Sequence, residues 1–320
     1  MKKANGYVGI VAWLSVGFVG ARGWAQGSLT PPGPPAPTMK TLTQVEPRTP
    51  ISGAPYTISQ PGSYYLTTNL NLTGNGHGVV IAASGVTLDL MGFALSGNRQ
   101  NWNYGVFLDG ATNALIRDVV VRNGIVCNFG HGVRAEYSLG CRFEHLVASS
   151  NGTYGVILYG SYGRCDGNAI VGCTMNDNGN QGIRLDGFTG QCNGNAIVDC
   201  TVCGNGEWGL FLYGRVGQCE GNTIRGCVIQ GNAERGIYLF YADANRVEGN
   251  HVSGQTGTTT YGISSDETAG NLILRNTCVG QTTNFLMSAN DTYGPIVTSA
   301  GALPTTSGSA GLSPWANFSR

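Results

Sequence analysis

A glycine opens nearly the same phrase seven times in this chain, at Gly105, Gly132, Gly155, Gly182, Gly209, Gly236 and Gly262, with steps of 27, 23, 27, 27, 27 and 26 residues. A period this regular implies a solenoid, because a unit so short cannot bury its own apolar face and must bury it on its neighbours. After the glycine the pattern runs apolar, variable, apolar, variable, as in Gly182-Ile183-Arg184-Leu185-Asp186 and Gly209-Leu210-Phe211-Leu212-Tyr213. That alternation is a strand with one buried face. A second short strand follows an asparagine at Asn168, Asn195, Asn222, Asn245 and Asn271. A third polar mark falls at Asn123, Asn151, Asn178, Asn205 and Asn232. Strands this short, separated by turns and without helical periodicity, predict one coil per repeat and about eight or nine coils in all.

Stacked coils pair strand on strand in parallel at about 4.8 Å per rung, so equivalent residues lie above one another. Asparagines repeated in the turns can then hydrogen-bond along the stack and satisfy backbone groups that a buried turn would leave unpaired. Each coil is the template for the next.

These repeats, which read like "YGVILYG...GNAIVGCTMNDNG", resemble the right-handed parallel β-helix proteins of the pectate-lyase-like superfamily. The openings "PYTISQPGSYYLTTNLNL" and "GVTLDLMGFALSG" are similar to the first coils of secreted bacterial members. The resemblance covers roughly residues 55 to 285 and implies an all-β, right-handed parallel β-helix, placed here at residues 51–286. It says less about activity, because the superfamily holds lyases, hydrolases, epimerases, adhesins and proteins without known chemistry. The adjacent Asp-Asp pair and the Arg-x-Lys of polygalacturonases are missing, although "GHG" at 130–132 is faintly similar to their histidine motif.

Outside the repeats, Lys2 and Lys3 precede the apolar run "YVGIVAWLSVGFVGA", and Gly23-Trp24-Ala25 supplies small residues near a cleavage point, so residues 1–25 read as a signal peptide. Residues 26–50 read as a proline-rich linker, densest in "QGSLTPPGPPAPT". Residues 287–320 lose the repeat and read as a C-terminal cap or a loose tail, with Tyr293, Ile296, Trp315 and Phe318 placed against the end of the stack if they form a cap. The chain is thus expected to be exported, to the periplasm or beyond, with no membrane span after cleavage. Its 18 basic residues balance 18 acidic ones, which argues against a nucleic-acid partner.

Ten cysteines in an exported protein suggest disulfides, but six of them form columns. Cys165, Cys192 and Cys219 make one, and Cys173, Cys200 and Cys227 make another, at the turn position that Asn250 and Asn276 fill later. The second column reads as small buried groups replacing asparagine. Pairing between rungs would leave one of three unpaired, and pairing within a coil has to span the intervening strand. Cys200-Thr201-Val202-Cys203 lacks the second pair or flanking histidine of a zinc site, and His77, His131, His145 and His251 are scattered. No metal site or cofactor is therefore assigned.

The variable letters of the first strand are expected to face solvent in two columns. One holds Phe107, Arg134, Ile157, Arg184, Phe211, Tyr238 and Ser264; the other holds Asp109, Glu136, Tyr159, Asp186, Tyr213, Phe240 and Asp266. Aromatic faces stack on sugar rings, while arginine and carboxylates bind hydroxyls and acidic groups. Phe107, Tyr159, Phe211, Tyr213, Tyr238 and Phe240 are therefore candidate contacts for a polysaccharide or cell-surface glycan. Stacked aromatic ladders that only stabilise the sheet are the competing reading. The longer loops at 160–167, 187–194 and 214–221 should form a ridge beside this face.

For catalysis, Asp109 and Glu136 on adjacent rungs and Asp186 beyond them, flanked by Arg134 and Arg184, form a candidate set for a polysaccharide lyase or glycoside hydrolase. The resemblance adds that such carboxylates hold Ca²⁺ in pectate lyases. The bland alternative is a set of surface charges, with Arg134 beside Glu136 and Arg184 beside Asp186. A non-catalytic structural module is the remaining reading.

Overall fold

The computed structural model describes residues 46–99, 102–111, 114–298 and 313–320, and Pro47–Arg320 form one compact unit. The proposed signal peptide, and the proposed linker up to residue 45, lie outside the described residues. Among the described residues every regular element is a strand, and no helix is long and apolar enough to cross a membrane. The fold is a parallel β-solenoid of about nine turns. Ten parallel strands, from Tyr56–Ile58 through Tyr104–Asp109, His131–Glu136 and Trp208–Tyr213 to Thr283–Leu286, make one sheet. Twenty more strands form a second sheet, to which a middle coil gives two strands such as Thr223–Arg225 and Val228–Gln230, and Ile116–Arg117 pairs separately with Ser138–Leu139.

A left-handed corner separates those two strands, at Gly172, Asp199, Gly226 and Gly249 with φ between 53° and 66°. Glycine, or a residue with a short polar side chain, adopts that region at least cost. The core between the sheets is a stack of aliphatic layers, in which Ile183, Ile197 and Val202 of one coil lie beneath Leu210, Ile224 and Ile229 of the next, all fully buried.

The turn asparagines form three buried ladders. In one, Asn151, Asn178, Asn205 and Asn232 each present Oδ1 to the coil before, and Asn178 Nδ2 donates to Asn205 Oδ1 at 2.9 Å. Asn168, Asn195, Asn222, Asn245 and Asn271 make the second, and Asn250, Asn276 and Asn317 the third. Asn123 belongs to none of the three: it sits at a left-handed corner and donates to Asp89. The ladders end on polar residues of their own kind, Gln255 for the first and Asp291 for the second. Asn317 ends the third from the returning C-terminal strand Asn317–Ser319, which pairs with Thr277–Val279. Ile296–Val297 pairs with that strand in turn, whereas Tyr293 and Trp315 stay nearly half exposed.

All ten cysteines are free thiols. Cys165, Cys192 and Cys219 stack in one fully buried column, and Cys173, Cys200 and Cys227 in another. Each donates to a main-chain carbonyl, for example Cys192 to Leu158 at 3.5 Å and Cys200 to Ile170 at 3.5 Å. The second column continues the third ladder upward, since Asn250 Oδ1 accepts from Cys227 N at 2.9 Å. A thiol there fills the space of an amide while giving up most of its hydrogen bonding.

Candidate functional site

The two columns of variable residues are in register: Phe107, Arg134, Ile157, Arg184, Phe211, Tyr238 and Ser264 lie on successive strands, and so do Asp109, Glu136, Tyr159, Asp186, Tyr213, Phe240 and Asp266. Their exposure differs from the expectation. Phe107, Ile157, Phe211 and Tyr238 are less than 10% exposed, although they point away from the core. The cause is a third outward column, Tyr104, His131, Tyr154, Gln181, Trp208, Arg235 and Tyr261, which flanks the first and covers it.

That third column exists because the strands bend at the repeated glycine. A Cβ on Gly182 would lie 2.3 Å from Val202 Cγ1, and one on Gly236 2.2 Å from Val252 Cγ1, so the glycine faces the core. The apolar residue after it faces the core as well. Two successive inward positions turn the residue before the glycine outward. Strict alternation from the glycine onward predicts the other two columns and leaves this one out. The signal was nevertheless present, since a column containing His131, Gln181 and Arg235 is too polar for an interior.

On this face the rings form a continuous surface. Trp208 meets Phe211 edge-on at 4.4 Å between centroids, Phe211 stacks on Tyr238 at 5.2 Å, and Tyr213 stacks on Phe240 at 5.8 Å. Phe188, from the loop at 187–194, stacks on Tyr213 at 5.2 Å. The three long loops do stack, with Gln191 N donating to Gly163 O and Gln218 N to Gly190 O at 2.8 and 2.7 Å. The outer column and the two columns it flanks line two neighbouring concavities. One, of about 490 Å³, is lined by Tyr154, Gln181, Arg184, Glu207, Trp208 and Tyr213 among others. The other, of about 340 Å³, is lined by Trp102, His131, Arg134, Tyr154, Tyr159 and Asp186 among others. They share Tyr154 and Arg184's ion-pair partner Asp186 borders the second.

The candidate carboxylates fare unequally. Asp109 and Glu136 are neighbours in register, but Arg134 Nε donates to Glu136 Oε1 at 2.5 Å. Asp186 is 4% exposed and saturated: it accepts from Arg184 Nε at 2.9 Å, Ser161 Oγ at 2.7 Å and Phe188 N at 3.1 Å. Its bonds hold the ridge loop against the strand. Arg134 stacks on Tyr159 at 4.1 Å and Arg184 on Phe211 at 5.1 Å, so both guanidinium groups are held by a carboxylate and a ring. Asp109 remains exposed at the end of its strand.

Sequence reasoning passed over Glu207, Gln181 and Trp208. Burial raises the Glu207 pKa above the ordinary carboxylate value, with Glu234 one coil on adding to the effect. Gln181 Nε2 donates to Glu207 Oε2, while Gln181 Oε1 is buried without a partner. His131 lies between Tyr104 and Tyr154, with centroids 4.9 and 4.8 Å away, and its Nδ1 is likewise buried and unpartnered.

Burial, reinforced by Arg134 and Arg184, lowers the His131 pKa to about 3. Between pH 6.5 and that value the unfolded chain binds a proton that the folded one does not, so stability is present above pH 6.5 and lost as pH falls. Chemical denaturation at pH 7 and pH 5 should show a loss of about 2 kcal/mol from this group. His131→Phe should flatten that part of the profile, and an unchanged slope would overturn the assignment.

No protein of curated function matches this chain in sequence. Among solved structures it is similar to the enzymatically active domain of tailspike protein 2 of bacteriophage CBA120, with 16% identity, a TM-score of 0.59, and coverage of 78% of this chain and 43% of that one. The chain thus spans less than half of the tailspike domain. It is also similar to the A-module of the Azotobacter vinelandii mannuronan C-5 epimerase AlgE4, with 18% identity, a TM-score of 0.53, and 78% and 81% of the two chains covered. The periplasmic alginate epimerase AlgG gives 14% identity and a TM-score of 0.53 over 81% and 68%. Likenesses at this identity establish the fold.

A family model described as "Periplasmic copper-binding protein (NosD)" matches residues 51–216 and 91–296. The donors present do not fit a copper centre. Among the described residues no three of His, Cys, Asp or Glu converge on one point. Burial also pushes the Cys141 thiol up to about 12, and raises Cys192 and Cys278, so these remain thiols where a metal takes thiolate. Two overlapping matches are what a shift of register along a repeating chain produces, and together they span residues 51–296: the chain belongs to the NosD family.

Proposed function

We propose that this is an exported protein that binds an extended polysaccharide along the outer face of the ten-stranded sheet. The observation that carries this reading is the uninterrupted aromatic surface of Trp208, Phe211, Tyr213, Tyr238 and Phe240 beside a stacked ridge. Sugar rings present apolar C–H faces and polar edges, so a surface of rings edged by side chains with hydrogen-bonding groups suits both. Tyr213 and Phe240 offer partly exposed rings, while the covered Phe211 and Tyr238 stack beside them at 5.4 and 5.5 Å. The similar structures include a tailspike enzymatic domain, a mannuronan epimerase and an alginate epimerase, which favours a glycan for this face. The family's description as periplasmic agrees with export.

Binding without turnover is the better reading, because Glu136 and Asp186 are already neutralised by Arg134 and Arg184. Tyr213→Ala and Trp208→Ala should each reduce retention on immobilised glycan about fivefold, in line with roughly 1 kcal/mol for a lost stacking partner. The melting temperature should change little, since both side chains are partly exposed. Wild-type retention in both variants would remove this face from consideration. Release of reducing or unsaturated ends, abolished by Glu136→Gln, would replace binding with catalysis.

A further inference from the structure

On the second sheet, the residues on either side of the buried Ile197, Ile224, Val247 and Ile273 point outward. In register these are Ala196 and Val198, Thr223 and Arg225, Arg246 and Glu248, then Leu272 and Leu274. Two large aliphatic side chains thus stand on the outer side where the preceding coil carries an ion pair. The C-terminal segment buries Leu274 to 6% exposure, yet Tyr293 and Trp315 each stay 47% exposed. Leu272, Leu274, Tyr293, Pro295 and Trp315 line a concavity of about 420 Å³, and Arg246 is its one charged lining residue among those described. A mostly apolar hollow with a single well-placed charge is the usual form of a small-molecule site, which holds about 300 to 1,000 Å³.

The aromatic wall is fixed in advance. Arg275 Nε donates to Pro314 O at 2.7 Å, and its guanidinium stacks on the Trp315 ring at 4.6 Å. Charge then selects the ligand. Glu248 is the only acceptor that Arg246 reaches among the described residues, through Arg246 Nε at 2.6 Å, and Arg275 Nη1 draws on the same carboxylate at 3.1 Å. Two guanidinium groups on one carboxylate leave a surplus positive charge beside the hollow. Arg225 and Asp199, which border the adjoining polar concavity, offset one another. An anion is therefore attracted to this end of the sheet, and an apolar body attached to it is removed from water.

We propose that this concavity binds a small organic carboxylate with an apolar body, whose ring or hydrocarbon part lies among Leu272, Leu274, Tyr293 and Trp315 while its carboxylate pairs with Arg246. The site lies on a different sheet from the aromatic face and stands whether or not that face holds a glycan.

Three probes that share one apolar body test it: phenylbutyrate, phenylbutanol and phenylbutylamine, titrated calorimetrically into the full chain. Saturable binding of the carboxylate is the expected result, with the alcohol about tenfold weaker and the amine weaker still, because only the carboxylate forms a charge-assisted bond. Arg246→Gln should bring the carboxylate down to the level of the alcohol and leave the alcohol unchanged. Leu272→Glu should abolish binding of both, and Tyr293→Ala, at an exposed position, should weaken both about fivefold. Melting curves identify which variants are folded, and glycan retention should match wild type in all of them. No saturable binding of any probe, or carboxylate binding that none of the folded variants weakens, would overturn the site. Equal affinity for carboxylate and alcohol would overturn the anionic class. A concentration-dependent dimer in sedimentation that Trp315→Ala abolishes would seat a second copy in the concavity and overturn the small-ligand assignment.

Discussion

Asn205→Ala should cost the fold about 4 kcal/mol or more, several times what an ordinary surface substitution costs. Asn205 Oδ1 accepts from Asn178 N at 3.1 Å and from Asn178 Nδ2 at 2.9 Å. Its Nδ2 donates to Met175 O at 3.2 Å and to Asn232 Oδ1 at 2.8 Å. Alanine would therefore strand an amide proton of the backbone, one of a side chain, and a carbonyl, all in a turn that water does not reach. Each such group costs about 1 to 3 kcal/mol when buried unpaired. Urea denaturation should locate the loss, with exposed Gln230→Ala on the next coil as the reference, expected within about 0.5 kcal/mol of wild type. A cost below about 1 kcal/mol would mean that the ladder does not hold the coils together.

The same asparagines mark what could be read from the chain and what could not. Their spacing exposed the coil, the strand that follows each one and the stacking of like on like, because a ladder needs the same residue at the same place in every turn. The two columns after the repeated glycine were also legible, down to the register of Arg134 on Phe107 and Asp186 on Tyr159. What period-two counting could not supply was the bend at the glycine. It hid Gln181 and Trp208, and it made Phe211 and Tyr238 look open to solvent. Glu207 was hidden for a different reason: it lies in the turn before the strand, where only the folded coil shows it packed beside Gln181. The ion pairs of Arg134 and Arg184 were foreseeable from their spacing to Glu136 and Asp186, but their burial was not, since burial came from the column that counting left out.

The bend itself gives the second large effect. Gly209→Ala should destabilise the protein by about 3 kcal/mol, at the upper end of what overpacking a core costs. A Cβ at that position would lie 2.6 Å from Gly236 O and 2.6 Å from Ile229 Cγ2. The carbonyl belongs to the next rung, and it cannot retreat without opening the parallel ladder. Two other glycines separate this cause from backbone freedom alone. Gly221 has φ of 63° with nothing within 4 Å of an added Cβ, so Gly221→Ala meets only the left-handed strain of about 1 to 2 kcal/mol. Gly53 has open space and no positive φ, and Gly53→Ala should be close to neutral. If Gly209→Ala proved no costlier than Gly221→Ala, close approach between rungs would not be what keeps glycine in this column. The consequence reaches the binding face, because the bend at Gly209 is what turns Trp208 outward over Phe211. Whatever fraction of Gly209→Ala folds should therefore bind glycan less well than Gly221→Ala, in which the bend and the aromatic surface are untouched.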